Sequence, residues 1–352
     1  MKHPLWLGTG LVVAALALGI LIDQASGEQD VTPALLCTSY SGLPDDRNGP
    51  WRHGMVQVPA GTFSYGSTRF YDEEGPAVKT QVSSFWIDVH PVSNAQFARF
   101  VEQSGYVTRA ERGIDAAADA GLSAELRQPG AMVFVQGPDV LRPGWQFVPG
   151  ANWRHPQGPA SDWQTVKNHP VVQITLEDAQ AYADWAGHTL PSEAQLEYAM
   201  RGGLEDADYS WGRTELPLGK PMANTWQGQF PYHNAAVDGF AGTSPVGCFV
   251  ANGFGLFDAG GNVWELTRSG YRPQHEPRLD ASLDPPGPSL NDSFDPAQPG
   301  TQVATIKGGS HLCSADVCMR YRPSARQPQT WYLATSHVGF RTIASVALEK
   351  TQ

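Results

Sequence analysis

Glycine and proline are spread through almost the whole chain, and their density limits what the chain can fold into. The 352 residues include 37 Gly and 28 Pro, together with 11 Trp. Gly and Pro interrupt regular helices and strands, whereas large aromatic side chains need a packed core. Hydrophobic residues make up 41% of the chain and charged residues 17%, the reverse of a disordered composition. We therefore expect a globular protein built largely of turns and loops, and we exclude a helical bundle or a coiled coil.

The charge balance argues against nucleic acid as a partner. The formal net charge is −11, and no basic tract interrupts the sequence. Proteins that bind duplex nucleic acid usually present a cluster of Lys and Arg to the phosphates. We therefore expect no nucleic-acid partner.

The first 27 residues have the pattern of an export or anchoring segment. After Lys2, residues 5–22 form an uncharged run of eighteen residues. This is longer than the ~7–15 apolar residues of a secretory signal and shorter than the ~20 of a membrane span. A cleaved signal peptide and an uncleaved anchor therefore both remain open. Either one places the body of the protein outside the cytoplasm, in the periplasm or anchored through residues 5–22 to the outer face of the inner membrane.

The remaining chain is predicted to form a single domain. Residues 28–54 carry scattered Pro and Gly and are predicted to be a linker, and residues 344–352 are predicted to be a C-terminal tail. No internal repeat and no second linker interrupt residues 55–343. One domain over this range is therefore predicted.

Local patterns predict a few regular elements. Three short helices are expected directly after Ser93, Thr175 and Ser192, because each of these side chains can accept a hydrogen bond from a free amide of the first helical turn. The pattern of residues 55–63 predicts a strand, a turn and a second strand, and residues 81–89 predict another strand. A Pro-rich stretch at 271–300 predicts one long surface loop.

The four cysteines are Cys37, Cys248, Cys313 and Cys318. Cys313 and Cys318 stand five positions apart, so only an irregular backbone between them would let their side chains meet. Two thiolates that meet make a soft metal site suited to Cu(I), and Lys307, Arg320 and Arg322 would favour the thiolate form. The alternative is a plain disulfide in an exported protein. The residues alone leave both open, and they assign no role to the other two cysteines.

Four oxygen-bearing side chains lie in turn-rich segments: Asn224, Asp238, Asp258 and Glu265. Oxygen side chains among glycines can wrap a hard cation, because tight turns also expose carbonyl oxygens. Asn and Asp are also ordinary turn formers. By themselves these residues favour the turn interpretation.

Beyond these local patterns, residues 55–343 resemble the formylglycine-generating enzymes, also called sulfatase-modifying factors. The most specific landmarks are ANTWQGQFP at 223–231 and the two-cysteine segment KGGSHLCSADVCMRYR at 307–322. More widely shared landmarks are MVQVPAGTF at 55–63, FWIDVHPVSNAQFARFV at 85–101, GYVTRAER at 105–112, HPVVQITLEDAQAYADWAG at 169–187, LPSEAQLEYAMRGG at 190–203, NGFGLFDAGGNVWEL at 252–266 and GFR at 339–341.

The resemblance implies one α+β domain, a C-type-lectin-like variant that is low in regular secondary structure. It implies an oxidoreductase that uses O2 to convert a cysteine in the Cys-x-Pro-x-Arg motif of an unfolded sulfatase polypeptide into Cα-formylglycine. Cys313 and Cys318 would be the catalytic Cu(I) ligands, and Ser310 would be the active-site serine. We expect a monomer that acts on sulfatase chains as they leave the secretion channel.

The resemblance also implies two Ca²⁺ sites. The first would be formed by Asn224, the carbonyl of Thr225, Asp238 and the carbonyl of Phe240. The second would be formed by Asp258, the carbonyls of Gly261 and Val263, and Glu265.

Two positions depart from the family pattern. Ser314 follows the first motif cysteine, where the family often has His, and His337 precedes GFR, where it often has Asn. These departures leave room for the same fold to oxidise another periplasmic substrate. A third hypothesis is a non-enzymatic, calcium-dependent, lectin-like binding module in which Cys313 and Cys318 form a structural disulfide.

Overall fold

The structure, a computed structural model, describes residues 54–114, 123–137, 140–276 and 282–345. The predicted leader and nearly all of the predicted linker and tail lie outside these ranges, so the domain boundaries stay predictions. Within the described ranges, no helix combines the length and the apolar character that a membrane span needs.

The described helices are α1 (Asn94–Ser104), α2 (Arg109–Arg112), α3 (Ala124–Arg127), α4 (Leu176–Ala186) and α5 (Glu193–Arg201), with short 3₁₀ turns at Asp72–Glu74, Trp163–Val166, Pro217–Gly219 and Leu290–Asp292. The three predicted helices are confirmed as α1, α4 and α5. In each, the capping side chain and the third helical residue exchange hydrogen bonds, so free first-turn amides are satisfied. The sequence does not predict α2 and α3, because four residues are too few to show a helical period.

The described strands are β1 (Met55–Val58), β2 (Gly61–Tyr65), β3 (Val78–Val82), β4 (Phe85–Asp88), β5 (Gly130–Val135), β6 (Gly144–Pro149), β7 (Trp264–Gly270), β8 (Ser282–Leu283), β9 (Val303–Lys307), β10 (Arg326–Thr330), β11 (Val338–Gly339) and β12 (Ile343–Ser345). They form four small sheets with the orders β1-β4-β12, β10-β9-β7-β11, β2-β3-β8 and β5-β6. The elements are short and separated by turns, as the Gly and Pro content predicts.

Two predictions about local structure are wrong in detail. The predicted strand at 81–89 is two strands, because the chain leaves one sheet after Val82 and enters another at Phe85. The predicted single loop at 271–300 contains Ser282–Leu283, which pairs in parallel with β3. Both pairings join residues far apart in sequence, and local propensity carries no information about such partners.

The four-stranded sheet is the element that positions the candidate site. All five residues of β9 are buried, and β9 leads directly into the KGGS segment. On this sheet packs an aromatic core that includes Phe97, Tyr182 and Phe340. Cys313 belongs to the same core. The motif that carries the cysteines is therefore built onto a rigid sheet, although its own backbone is irregular.

Cys248 is separate from the motif pair. It is fully buried and disulfide-bonded. Its partner lies outside the described ranges, because Cys313 and Cys318 are free thiols.

Candidate active site

A tight turn brings the two motif cysteines together. The Cys318 N–H donates to the Ser314 carbonyl oxygen at 2.9 Å, which bends the chain back on itself. The Sγ atoms of Cys313 and Cys318 lie 3.1 Å apart, and both are free thiols. This is the irregular backbone that the five-residue spacing requires. The disulfide alternative is not what the structure shows.

The two sulfurs have different environments. Cys313 is 2% exposed, and burial raises its pKa. The hydrogen bond from Cys313 lowers the pKa of Cys318 to about 6, and Arg320, whose Nη1 is 3.9 Å from Cys318 Sγ, adds to this shift. A thiol that donates to a thiolate is the expected state of the pair near neutral pH.

Arg320 is itself held by residues that the sequence analysis does not identify. Its Nη2 donates to Glu73 Oε1 at 2.6 Å, and its guanidinium lies 3.7 Å from the centre of the Tyr71 ring. The Tyr71 hydroxyl accepts the Met319 N–H at 3.2 Å. The acidic pair Glu73-Glu74 is visible in the sequence, but nothing in it indicates a partner 247 residues away.

The other two motif cations do not act on the cysteines. They belong to a buried charged layer, which we define as Glu74, Glu193, Glu197, Lys307, Arg322 and Arg326. Lys307 Nζ donates to Glu197 at 2.8 Å, and Arg322 pairs with Glu74. Burial alone would raise the pKa of Glu197, but Lys307 outweighs it and keeps the pKa below its usual value. The prediction that Lys307 and Arg322 favour the thiolate is therefore wrong, because the carboxylates of the charged layer claim both.

The glycines of KGGS allow a close approach between two chain segments. Gly309 has φ 73°, and a Cβ atom there would lie 2.6 Å from the Arg320 carbonyl oxygen. The segment before Cys313 therefore packs directly against the segment after Cys318. The predicted serine, Ser310, is fully buried in this turn. Its carbonyl accepts the Cys313 N–H at 2.9 Å, and its Oγ accepts the Leu312 N–H at 3.3 Å.

One side of the cysteine turn is flanked by an aromatic wall. We define this wall as Phe134, Trp145, Trp226, Phe230 and His337, whose neighbouring rings lie 4.6–6.4 Å apart. The Trp226 N–H donates to the Cys313 carbonyl at 2.9 Å, and Trp226 forms a backbone bridge to Ser314. The two family departures, Ser314 and His337, therefore lie at opposite ends of this wall.

Two histidines near the site are held neutral. Burial lowers the pKa of His337 to about 3 and that of His311 to about 4. His311 Nδ1 lies 2.9 Å from the Asn262 carbonyl oxygen, so this nitrogen carries the proton. Neither ring supplies a positive charge to the cysteine turn at neutral pH.

The first predicted calcium set is brought together in the structure. Asp238 accepts the Thr225 N–H at 2.9 Å and the Phe240 N–H at 3.0 Å, so the loop closes around its carboxylate. Asn224 Oδ1 is buried with no hydrogen-bond partner. A buried oxygen without a donor is costly, and a hard cation is one group that would satisfy it. These donors fit Ca²⁺.

The second predicted set is partly committed to an arginine. Asp258 Oδ1 is buried without a hydrogen-bond partner, and burial raises the Asp258 pKa to about 6. Glu265, by contrast, accepts Arg341 through both oxygens at 2.6 and 2.7 Å. The same guanidinium donates to the Asp258 carbonyl at 3.3 Å. Asp258 fits a cation, whereas Glu265 would have to share its carboxylate between the cation and Arg341.

Asn262 connects the calcium sets to the cysteine turn, and the sequence analysis does not identify it. Its side chain lies 3.3 Å from Asn224 Nδ2, and its carbonyl accepts the His311 N–H at 2.9 Å. Across the described part of the chain, no cluster of three or more His, Cys, Asp or Glu side chains is arranged to hold a metal ion. The candidate sites use two thiols or a mixture of carbonyls and side-chain oxygens instead.

Comparisons with known proteins agree with this architecture. The sulfatase-modifying factor enzyme 1-like domain matches residues 41–346. A formylglycine-generating enzyme from Mycobacterium tuberculosis is 50% identical over 301 residues, which cover 82% of this chain and 97% of that protein. One from Thermomonospora curvata is 43% identical over 299 residues, which cover 83% and 93%.

Solved structures support the same fold. PvdO from Pseudomonas aeruginosa matches with a TM-score of 0.55 at 20% identity, over 83% of this chain and 94% of that chain. At this identity the likeness concerns the fold alone, and it confirms the expected α+β, C-type-lectin-like domain of low regular structure. The chain therefore belongs to the formylglycine-generating enzyme family of sulfatase-modifying oxidoreductases.

Proposed function

We propose that this protein oxidises a cysteine of an unfolded sulfatase to Cα-formylglycine, with Cu(I) and O2, within a Cys-x-Pro-x-Arg motif. The observation that carries the proposal is the pair of free thiols, Cys313 and Cys318, 3.1 Å apart in a chain of this family. Two soft sulfur donors at this spacing suit Cu(I) better than a hard cation. The bound copper would supply the one-electron chemistry that O2 requires.

The surroundings of the two sulfurs suggest how the residues share the work. Cys313 is sealed into the core and would anchor the metal, whereas Cys318 is partly exposed and would lie on the side where a substrate thiol arrives. Trp145 of the aromatic wall is 41% exposed. It offers an apolar surface to an extended peptide, which an unfolded substrate can present and a folded one cannot. Ser310 would help to hold the turn in shape.

The test is a peptide oxidation assay. Purified protein loaded with Cu(I) is incubated with a Cys-x-Pro-x-Arg peptide, and aldehyde formation is followed by mass. Cys313→Ser and Cys318→Ser should each lower the rate by about 10⁴-fold or more, equivalent to about 5.4 kcal/mol of transition-state stabilisation.

Near-normal unfolding temperatures of the two serine variants would show that this loss is not misfolding. Absence of aldehyde with copper demonstrably bound would reject the proposal. Equal oxidation of peptides without the motif would favour the alternative substrate.

We further propose that Ca²⁺ occupies both predicted oxygen sets and stabilises the loops that support the cysteine turn. Support comes from the unpartnered buried oxygens of Asn224 and Asp258. Calcium at 100 times its Kd should raise the unfolding free energy by about 2.7 kcal/mol, measured by thermal unfolding with calcium against a chelator.

Asp258→Asn should reduce this gain, because it removes a charged ligand. Asp162→Asn, an exposed position at a 3₁₀ turn, is the matched control and should leave it unchanged. A calcium gain that is the same in both variants would contradict the second site.

We also propose that the protein acts outside the cytoplasm, as a monomer that meets sulfatases during export. The uncharged run at 5–22 and the disulfide at Cys248 support an oxidising, exported environment. A fusion of a periplasm-dependent reporter to the C-terminus should be active, and modification of a sulfatase retained in the cytoplasm would contradict the proposal.

A further inference from the structure

Arg320 is held in one orientation beside the cysteine turn. Its Nε and Nη2 both donate to Glu73 Oε1, at 3.2 and 2.6 Å, and its guanidinium stacks on Tyr71. The remaining nitrogen, Nη1, is directed at Cys318 Sγ, 3.9 Å away. The planar guanidinium can serve a carboxylate on one edge and a second partner on the other. Only 17% of the Arg320 side chain is exposed.

The loop that carries Glu73 is fixed to the segment that carries Cys318. The Tyr71 hydroxyl accepts the N–H of Met319, the residue directly after Cys318. Arg326 Nη1 donates to the Glu73 carbonyl oxygen at 3.1 Å. These contacts hold the Glu73 carboxylate in place, and Glu73 in turn determines where the Arg320 charge lies.

A carboxylate at this location needs an explanation. A complex of Cu(I) with two thiolates has a net charge of −1, and a nearby carboxylate repels it. Among the described residues, Arg320 is the cation with a recorded contact to either sulfur. The carboxylate of Glu73 is therefore useful to the site only through Arg320.

We propose that Glu73 is a positioning residue of the copper site, which holds the Arg320 guanidinium against Cys318 so that its charge stabilises the anionic two-thiolate complex with Cu(I). The inference rests on the proposed function, since it assumes that the cysteine pair binds Cu(I). It concerns the affinity for the metal and requires no particular substrate.

The test is a competition between the purified protein and a coloured Cu(I) chelator, without oxygen and at one fixed pH. Glu73→Ala should weaken Cu(I) binding by about three- to tenfold, because Arg320 loses two charge-assisted hydrogen bonds and turns toward solvent. Asp72→Ala is the matched control. It removes the same charge from the adjacent, exposed position in the same turn, and Cu(I) binding should stay within about twofold of wild type.

Two further variants separate positioning from charge. Glu73→Gln keeps an acceptor oxygen for Arg320 and should retain most of the affinity. Arg320→Lys keeps the charge but loses the fork that reaches Glu73 and Cys318 together, and it should weaken binding at least as much as Glu73→Ala. These two variants also carry the test if Glu73→Ala does not fold.

The outcomes distinguish this inference from the proposed function. Tighter Cu(I) binding in Glu73→Ala would mean that the carboxylate only repels the site, and an effect equal to that of Asp72→Ala would mean that Glu73 has no special role. Either result overturns the inference while leaving copper binding intact. A wild-type protein whose Cu(I) binding does not depend on Cys313 and Cys318 would overturn both.

Discussion

The cysteine turn and the charged layer are built from the same short motif, yet they solve opposite problems. The cysteine turn, residues 313–318, is irregular and partly exposed, and it leaves both sulfurs unbonded. The charged layer is fully enclosed, and the charge of Lys307 is matched by Glu193 at 3.5 Å and Glu197 at 2.8 Å. One region keeps reactive groups available, and the other satisfies every group it can.

The difference shows how burial assigns roles to identical charges. Lys307, Arg320 and Arg322 stand within sixteen residues of each other, and all three could serve the thiols. An enclosed cation must have a carboxylate partner, and Lys307 and Arg322 are enclosed. Arg320 lies at the margin, where it can serve Glu73 and Cys318 together. The scaffold therefore takes two of the cations and leaves one for the chemistry.

The largest expected effect comes from breaking the charged layer. Lys307→Met should lower the unfolding free energy by about 3–5 kcal/mol, because it leaves two buried carboxylates without their shared partner. Urea unfolding measures the loss, and Lys167→Met, at an exposed position, should cost less than about 0.5 kcal/mol. If Lys307→Met is stable but changes thiol reactivity, then the lysine serves the cysteines after all.

A smaller effect is expected where the two regions touch. Gly309→Ala should cost about 3 kcal/mol, because the new Cβ meets the Arg320 backbone as well as requiring a left-handed conformation. Gly105→Ala is the matched control, since Gly105 has φ 68° and no atom within 4 Å of the added Cβ. It should cost about 1 kcal/mol from the backbone alone. Equal losses by thermal unfolding would show that the close approach at Gly309 is not tight.

The smallest effect concerns the cysteine turn alone. The rate at which iodoacetamide alkylates the metal-free protein should rise with pH and reach half its plateau near pH 6, the lowered pKa of Cys318. At pH 7 the rate should exceed that of an ordinary exposed thiol by about fourfold, because a low-pKa thiolate is abundant but less nucleophilic. Cys318→Ser should abolish this phase, since Cys313 is buried and its pKa is raised. A midpoint above pH 8 would contradict the asymmetry of the pair.

Local signals predict the parts of the fold that depend on neighbouring residues. The caps at Ser93, Thr175 and Ser192 each act within one turn, so the three helices can be read directly. Strand partners cannot. Residues 81–89 contain the β-forming residues of two strands, and only the assembled sheets determine that the chain changes sheet between Val82 and Phe85.

The candidate site shows the same division. The sequence identifies Cys313, Cys318 and Ser310 through a resemblance that spans the motif, and the structure places all three in one turn. It does not identify Glu73 or Tyr71, because their contacts to Arg320 and Met319 cross more than two hundred residues. The copper, calcium and compartment assignments stay proposals with the tests described above.

The sequence by itself determined the family, the loop-rich character of the domain and the residue types available for chemistry, because these follow from composition, motif and local hydrogen bonding. Only the tertiary structure decided that the two thiols lie together and unbonded. It also decided that Lys307 belongs to the scaffold while Arg320 belongs to the sulfur. The physical reason is that burial and charge partnership depend on which distant segments meet, and a buried charge goes to whichever partner the fold places beside it.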